Sequence, residues 1–87
     1  MGDRANFGFR NRKGDVLFVY GHWAGYEMFA QLANALDNSR GRWGDDGYAT
    51  RICVSHLVGD DWRSPLSWGL YLNEIGDNEH HIPIVDW

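Results

Sequence analysis

The 87-residue chain has one cysteine, Cys53, and only two prolines. A single thiol rules out an internal disulfide framework, so burial and hydrogen bonds must hold the fold. No apolar run approaches the roughly 20 residues that cross a bilayer as a helix. The start Met1-Gly2-Asp3-Arg4 is too polar for a secretory leader, and Asn6 stands where a myristoylation signal requires Ser or Thr. These absences point to a reducing cytoplasm and no membrane contact. Basic charge is also scarce. Eight Lys and Arg against twelve Asp and Glu leave a formal charge of −4, which repels a phosphate backbone unless the cations cluster. The clusters are small, Arg10, Arg12 and Lys13 in one apparent turn and Arg40 with Arg42 around Trp43, so nucleic acid is not an expected partner. No complete catalytic triad, phosphate loop or paired metal-ligand spacing occurs. With no repeat, low-complexity tract or linker either, residues 1–87 read as a single domain.

Large rings, by contrast, are abundant: five Trp, four Tyr and four Phe, 15% of the chain. A domain of this size buries only roughly 60 to 65% of its unfolded surface. Some of these rings therefore stay outside, where Trp and Tyr favour association with a partner or with another copy.

Residues 6–10 and Asp15 to Tyr20 flank Asn11-Arg12-Lys13-Gly14, a polar tetrad ending in glycine that suits a β-hairpin reversal. In the second strand Val16, Phe18 and Tyr20 share one face and Leu17 and Val19 the other, so the strand should be central. Tyr26, Phe29, Leu32, Ala33 and Leu36 recur at helical spacing and predict a first helix between Gly25 and Asp37, ending near Asn38-Ser39. Asp45-Asp46-Gly47, with Asp46 read as the cap, introduces a second helix whose stripe is Ala49, Ile52, Cys53, His56 and Leu57. Residues 59–65 read as an exposed connection. Ser67 to Asn73 and His81 to Val85 read as two further strands around Asp77-Asn78-Glu79, with Pro83 placing the last at an edge or at a bulge. The order ββααββ gives an α+β fold of two hairpins separated by a helical pair, one mainly antiparallel sheet with both helices on one face. The other face is left to water or to a partner.

Gly21-His22-Trp23-Ala24-Gly25 forms a glycine-flanked corner where a strand delivers a His-Trp pair ahead of a helix. Such a corner can aim an imidazole and free backbone N–H groups at an anion. His22 and Trp23, with Arg42 and Trp43 whose ring can stack on a base, are the candidate small-ligand or nucleotide site; the plainer reading is that His22 and Trp23 simply lock the corner. Cys53 and His56 share a helical face and can in principle join His22, His80 or His81 around zinc. The lone Cys-x-x-His fits a core stripe better, so no metal or other cofactor is expected. His22 with Asp86, or with another carboxylate brought close by folding, is a third, hydrolytic reading, but no residue stands out as catalytic. Trp62 beside Arg63, Trp68, Tyr71 and the terminal Trp87 are the candidate interface residues.

Three segments carry a resemblance: residues 14–25 with His22-Trp23-Ala24-Gly25, residues 42–52 with Arg42-Trp43-Gly44-Asp45 leading into Tyr48-Ala49-Thr50-Arg51-Ile52, and Gly69-Leu70-Tyr71-Leu72 with Asp77-Asn78-Glu79-His80. They resemble a family of small uncharacterised accessory proteins encoded by actinobacterial phages, which typically carries two glycines after His-Trp where this chain has Ala24 and Gly25. The resemblance implies a protein acting inside a bacterial host by binding rather than turnover. The expected function is protein binding, to a host protein or as a homo-oligomer; the alternative is a ligand-sequestering protein built on the His22-Trp23 corner.

Overall fold

A computed structural model describes residues 2–87. Strands β1 (Ala5–Arg10) and β2 (Val16–Gly21) form the first hairpin. Its reversal is built by Asn11, whose side-chain oxygen accepts the backbone N–H groups of Lys13 and Asp15 at 2.9 and 3.0 Å, while Gly14 supplies the φ of +96° that a side chain resists. Helices α1 (Met28–Asn38) and α2 (Asp46–Val58) follow, and then strands β3 (Trp68–Leu72) and β4 (Ile84–Asp86). Single 3-10 turns at Arg40–Arg42 and Gly59–Arg63 make the corners after each helix.

The class is α+β in the order ββααββ, with a four-stranded sheet ordered β3-β2-β1-β4. The pairing of the last two strands differs from expectation. β3 and β4 do not form a second hairpin; β3 pairs antiparallel with β2 on one side and β4 pairs parallel with β1 on the other. Asp77-Asn78 is therefore not a hairpin turn but part of a crossover that carries the chain from one edge of the sheet to the other. Asn73 N–H bonds Val16 C=O at the start of this segment, and Pro83 C=O accepts from Gly8 N–H at its end. Between them it passes over the face of the sheet opposite the helices, so that face is partly roofed by the chain itself.

Asn6 pins the roof. Fully buried on the open face of β1, it accepts Gly76 N–H at 3.1 Å and donates to Asp77 C=O at 3.0 Å and Asn78 Oδ1 at 3.2 Å. A buried amide with its donors and acceptor matched costs little, and it fixes one path for an otherwise polar loop. Further along, Arg4 binds Glu79 through backbone N–H and guanidinium, and Asp3 contacts His80.

The core lies on the other face. Phe7, Phe9 and Val19 point from the sheet into Met28, Leu32 and Ala35 of α1 and Cys53, Val54, Leu57 and Val58 of α2. The α1 stripe is thus rotated from the expected one, and Tyr26 and Phe29 are exposed. The helix entry sets this phase: Gly25 is buried and donates its N–H to Asp3 C=O at 2.9 Å, so the residues that follow it in steps of three, four and three, Met28, Leu32 and Ala35, inherit the inward direction. In α2 the inward stripe takes Val54 and Val58, moving Ile52 and His56 to its half-buried margin. Asp45, not Asp46, caps α2 by accepting Tyr48 N–H. Asp46 instead holds the hairpin turn, accepting Arg12 N–H at 2.9 Å.

Candidate functional site: the aromatic surface around Trp68

Trp68 starts β3 directly opposite Gly21. Glycine is required there because a Cβ would stand 2.5 Å from the Ala24 Cβ and 2.9 Å from the Trp68 ring. The indole thus lies against the β2–α1 corner and divides two solvent-open hollows. The first, about 340 Å³, has Phe7 and Leu57 among its lining and is flanked by Trp23, Tyr26 and Trp68, with Glu27 and Gln31 as its polar members. The second, about 310 Å³, lies between Val58, Trp62, Trp68 and Leu70. Trp23 is 61% exposed, Tyr26 88% and Trp62 50%. Their exposure on either side of two hollows that combine apolar and polar lining is the pattern of a contact surface.

The corner is structurally engaged. His22 is half-buried, shares a 2.9 Å hydrogen bond through Nδ1 with the Tyr20 hydroxyl, and meets Trp23 edge-on at 4.8 Å. Its backbone N–H bonds Ser67 C=O, and its C=O accepts Asp3 N–H. Burial, and then the nearby Asp77 carboxylate, push the Tyr20 phenol above its ordinary pKa, so Tyr20 is a neutral phenol at physiological pH. The glycine of His-Trp-x-Gly also has a spatial reason: a Cβ on Gly25 would run into the His80 imidazole and the Asp3 carboxylate.

Arg42 and Trp43 do not join this corner. They follow α1 whereas His22 and Trp23 precede it, and eleven helical residues rise about 16 Å. Arg42 stacks on Tyr48 at 4.4 Å, and Arg40 on Trp43 at 4.9 Å. The Trp43 indole N–H is shared by Leu36 C=O and Ser39 Oγ, each at 3.1 Å. The four-residue ligand site expected from sequence is therefore two separate places. His22 and Asp86 are likewise apart, since Asp86 sits beside Arg10 at the opposite end of β1 from Ala5, the partner of Gly21.

The four expected interface residues also divide. Trp62 and Trp68 belong to the aromatic surface. Tyr71 lies on the roofed face, edge-on to Tyr20 at 6.4 Å. Trp87 is tied in, stacked on Phe9 at 6.4 Å with its indole N–H donated to Thr50 Oγ1 at 2.8 Å. It fastens β4 to α2. Tyr26 and Leu70 were not singled out by sequence, because Tyr26 reads as part of the α1 stripe and Leu70 as one residue of the strand from Ser67 to Asn73.

Cys53 is buried, with its thiol near Ala35 C=O and Ser39 Oγ. Burial raises its pKa, partly offset by the Ser39 contact. Among the described residues no group of three His, Cys, Asp or Glu is placed to hold a metal ion, and no helix is long and apolar enough to cross a membrane. Comparison with protein-family models, with curated proteins and with solved structures finds no match.

Proposed function

We propose that this chain is a protein-binding module, an accessory protein of phage origin working in the cytoplasm of a bacterial host, and that it makes contact through the aromatic surface around Trp68. The observation that carries the reading is the outward placement of Trp23, Tyr26 and Trp62 beside the two hollows that flank Trp68. Aromatic anchors set around desolvated pockets dominate the energetics of protein interfaces. The sequence resemblance to phage accessory proteins supports the cellular setting. The test compares immobilised wild-type protein with Tyr26→Ala/Trp62→Ala, a variant that keeps its fold because both rings are exposed. A host protein, or a second copy, held by the wild type and lost by the double variant supports the reading. Identical binding profiles for the two proteins refute it.

A second reading rests on the 340 Å³ hollow, whose volume falls in the range of small-molecule sites, about 300 to 1,000 Å³. Glu27 at its rim disfavours a phosphate and favours a neutral or cationic aromatic ligand. A thermal-shift panel separates the readings, since a ligand at 100 times its dissociation constant stabilises by about 2.7 kcal/mol.

A further inference from the structure

We propose that β3 is a self-pairing edge: two copies join antiparallel along Trp68–Leu72 about a two-fold axis at Leu70, making one continuous eight-stranded sheet. This deepens the protein-binding reading by naming a second copy of the chain as the partner.

The backbone register leads there first. His22 N–H bonds Ser67 C=O and Asn73 N–H bonds Val16 C=O, and β2 and β3 pair Phe18 with Tyr71 and Tyr20 with Gly69 between those bonds. Alternation of an antiparallel ladder then turns Gly69 and Tyr71 toward β2, and leaves the N–H and C=O groups of Trp68, Leu70 and Leu72 facing outward. Those groups have no hydrogen-bond partner among the described residues.

The free edge is also bounded and symmetric. Ser67 and Asn73 adopt positive φ, 81° and 59°, so the chain turns out of the strand at both ends and the edge is limited to five residues. Outward amides at 68, 70 and 72 are symmetric about Leu70. A two-fold there matches Trp68 with Leu72 of the second copy and Leu70 with itself, so that all three residues of each copy form hydrogen-bonded pairs.

Its chemistry points the same way. Trp68-Gly69-Leu70-Tyr71-Leu72 contains no charge and no proline, the usual guards of a solvent-facing edge. Leu70 and Leu72 are 52% and 64% exposed, and Leu66 and Trp62 stand exposed nearby. A strand pair alone falls short of the roughly 1,200 Å² of a stable interface, and these side chains supply further apolar area. The opposite edge is guarded: β4 has three residues, follows Pro83, and carries the Arg10–Asp86 ion pair at 3.3 Å. After two β3 strands pair, only guarded edges remain, so assembly closes at two copies instead of growing into a filament.

Sedimentation equilibrium and a cysteine pair test this. Wild type is expected at twice the 10.0 kDa chain mass. Leu70→Pro removes an outward N–H that the monomer does not use and should halve that mass with unchanged far-UV circular dichroism. Leu70→Cys should give a covalent dimer on mild oxidation, because directly opposed residues of a hydrogen-bonded pair lie about 5.5 Å apart at Cα, within disulfide reach. Leu72→Cys should not, since its copies sit four residues out of step, roughly 14 Å along the strand. Buried Cys53 does not compete. A monomeric wild type, or equal crosslinking at 70 and 72, overturns the proposal, and the cysteine pair decides if Leu70→Pro does not fold. Loss of a host partner in Tyr26→Ala with the 70–70 crosslink intact separates the broader surface from the strand pair.

Discussion

Asn6→Ala is the most informative single perturbation of the fold, because it releases the crossover that joins the two edges of the sheet. Three hydrogen bonds of 3.0 to 3.2 Å disappear at once. At about 1 kcal/mol net each, their sum is about 3 kcal/mol. Asp77 and Asn78 are exposed and rehydrate readily, so most of the lasting cost falls on the half-buried Gly76 N–H and on the gap left by the amide. A loss of about 2 kcal/mol is expected, a large share of the roughly 4 to 13 kcal/mol typical of 87 residues. In thermal terms this is a fall of about 8 to 16 °C for a domain of this length. Urea unfolding followed by Trp fluorescence gives the midpoint and slope, and amide exchange at Gly76 reports the release directly. Asn6→Asp keeps the acceptor for Gly76 but loses both donors and sets a carboxylate oxygen against the Asp77 C=O and Asn78 Oδ1, so it should be worse than Ala at neutral pH and recover in acid. If Asn6→Ala shifts stability by less than about 0.5 kcal/mol with an unchanged slope, the crossover is not what Asn6 holds.

Other outcomes follow from particular contacts. Gly21→Ala should destabilise by about 1 to 3 kcal/mol, measured by urea melt, since its Cβ meets Ala24 and Trp68 with no room to yield. Ser67→Gly should stabilise by roughly 0.5 kcal/mol, because glycine relieves a left-handed backbone at the start of β3 while losing more chain entropy on folding. Asp46 and Glu79 titrate below ordinary carboxyls, chiefly because each accepts a backbone N–H, from Arg12 and Arg4 respectively. Their folded pKa values lie below the unfolded ones, so their contribution is complete above the ordinary carboxyl range near pH 4 and is lost as pH falls through the folded values. Asp46→Asn and Glu79→Gln should each flatten the acid limb of a plot of urea midpoint against pH. Cys53 should resist a thiol reagent in the native protein and react in urea, at a rate that follows unfolding.

Local signals were enough for the class, the order of elements and the first hairpin. Asn11 and Gly14 announce the reversal, and Val16 to Tyr20 carry apolar residues on both faces, as a central strand must. The pairing of β3 and β4 was not legible, because Asp77-Asn78 has the composition of a hairpin turn whether or not its flanking strands meet. What decides the matter is Asn6, some seventy residues away, whose amide engages Gly76, Asp77 and Asn78 and draws the segment across the sheet. Nothing in the spacing around Asp77 encodes that partner. The candidate site was half legible for a related reason: Trp23, Trp62 and Trp68 stand out by type, but their grouping depends on where the corner and the second 3-10 turn meet β3. Arg42 and Trp43 stand out equally by type, and α1 carries them away.

The phase of α1 links this misreading to the surface itself. Apolar periodicity alone admits Tyr26, Phe29, Leu32, Ala33 and Leu36 as an inward stripe, and burying those rings would leave Met28 and Ala35 outside. The chain takes the other phase because Gly25 is clamped between Asp3 and His80, where a side chain has no space. Once that clamp fixes the entry, Met28, Leu32 and Ala35 fill the core, while Tyr26 and Phe29 turn to solvent. Tyr26 thereby lies beside Trp23 and Trp68 at the mouth of the larger hollow. Exposure of these rings is therefore a consequence of a specific tertiary contact rather than of aromatic excess alone. Loosening the clamp in Asp3→Ala/His80→Ala should lower the accessibility or partner affinity of Tyr26 before it unfolds the domain, and iodination of that phenol, followed by mass spectrometry, would detect the change. Unaltered labelling in the folded double variant would mean that the helix phase is set by core packing and not by its entry.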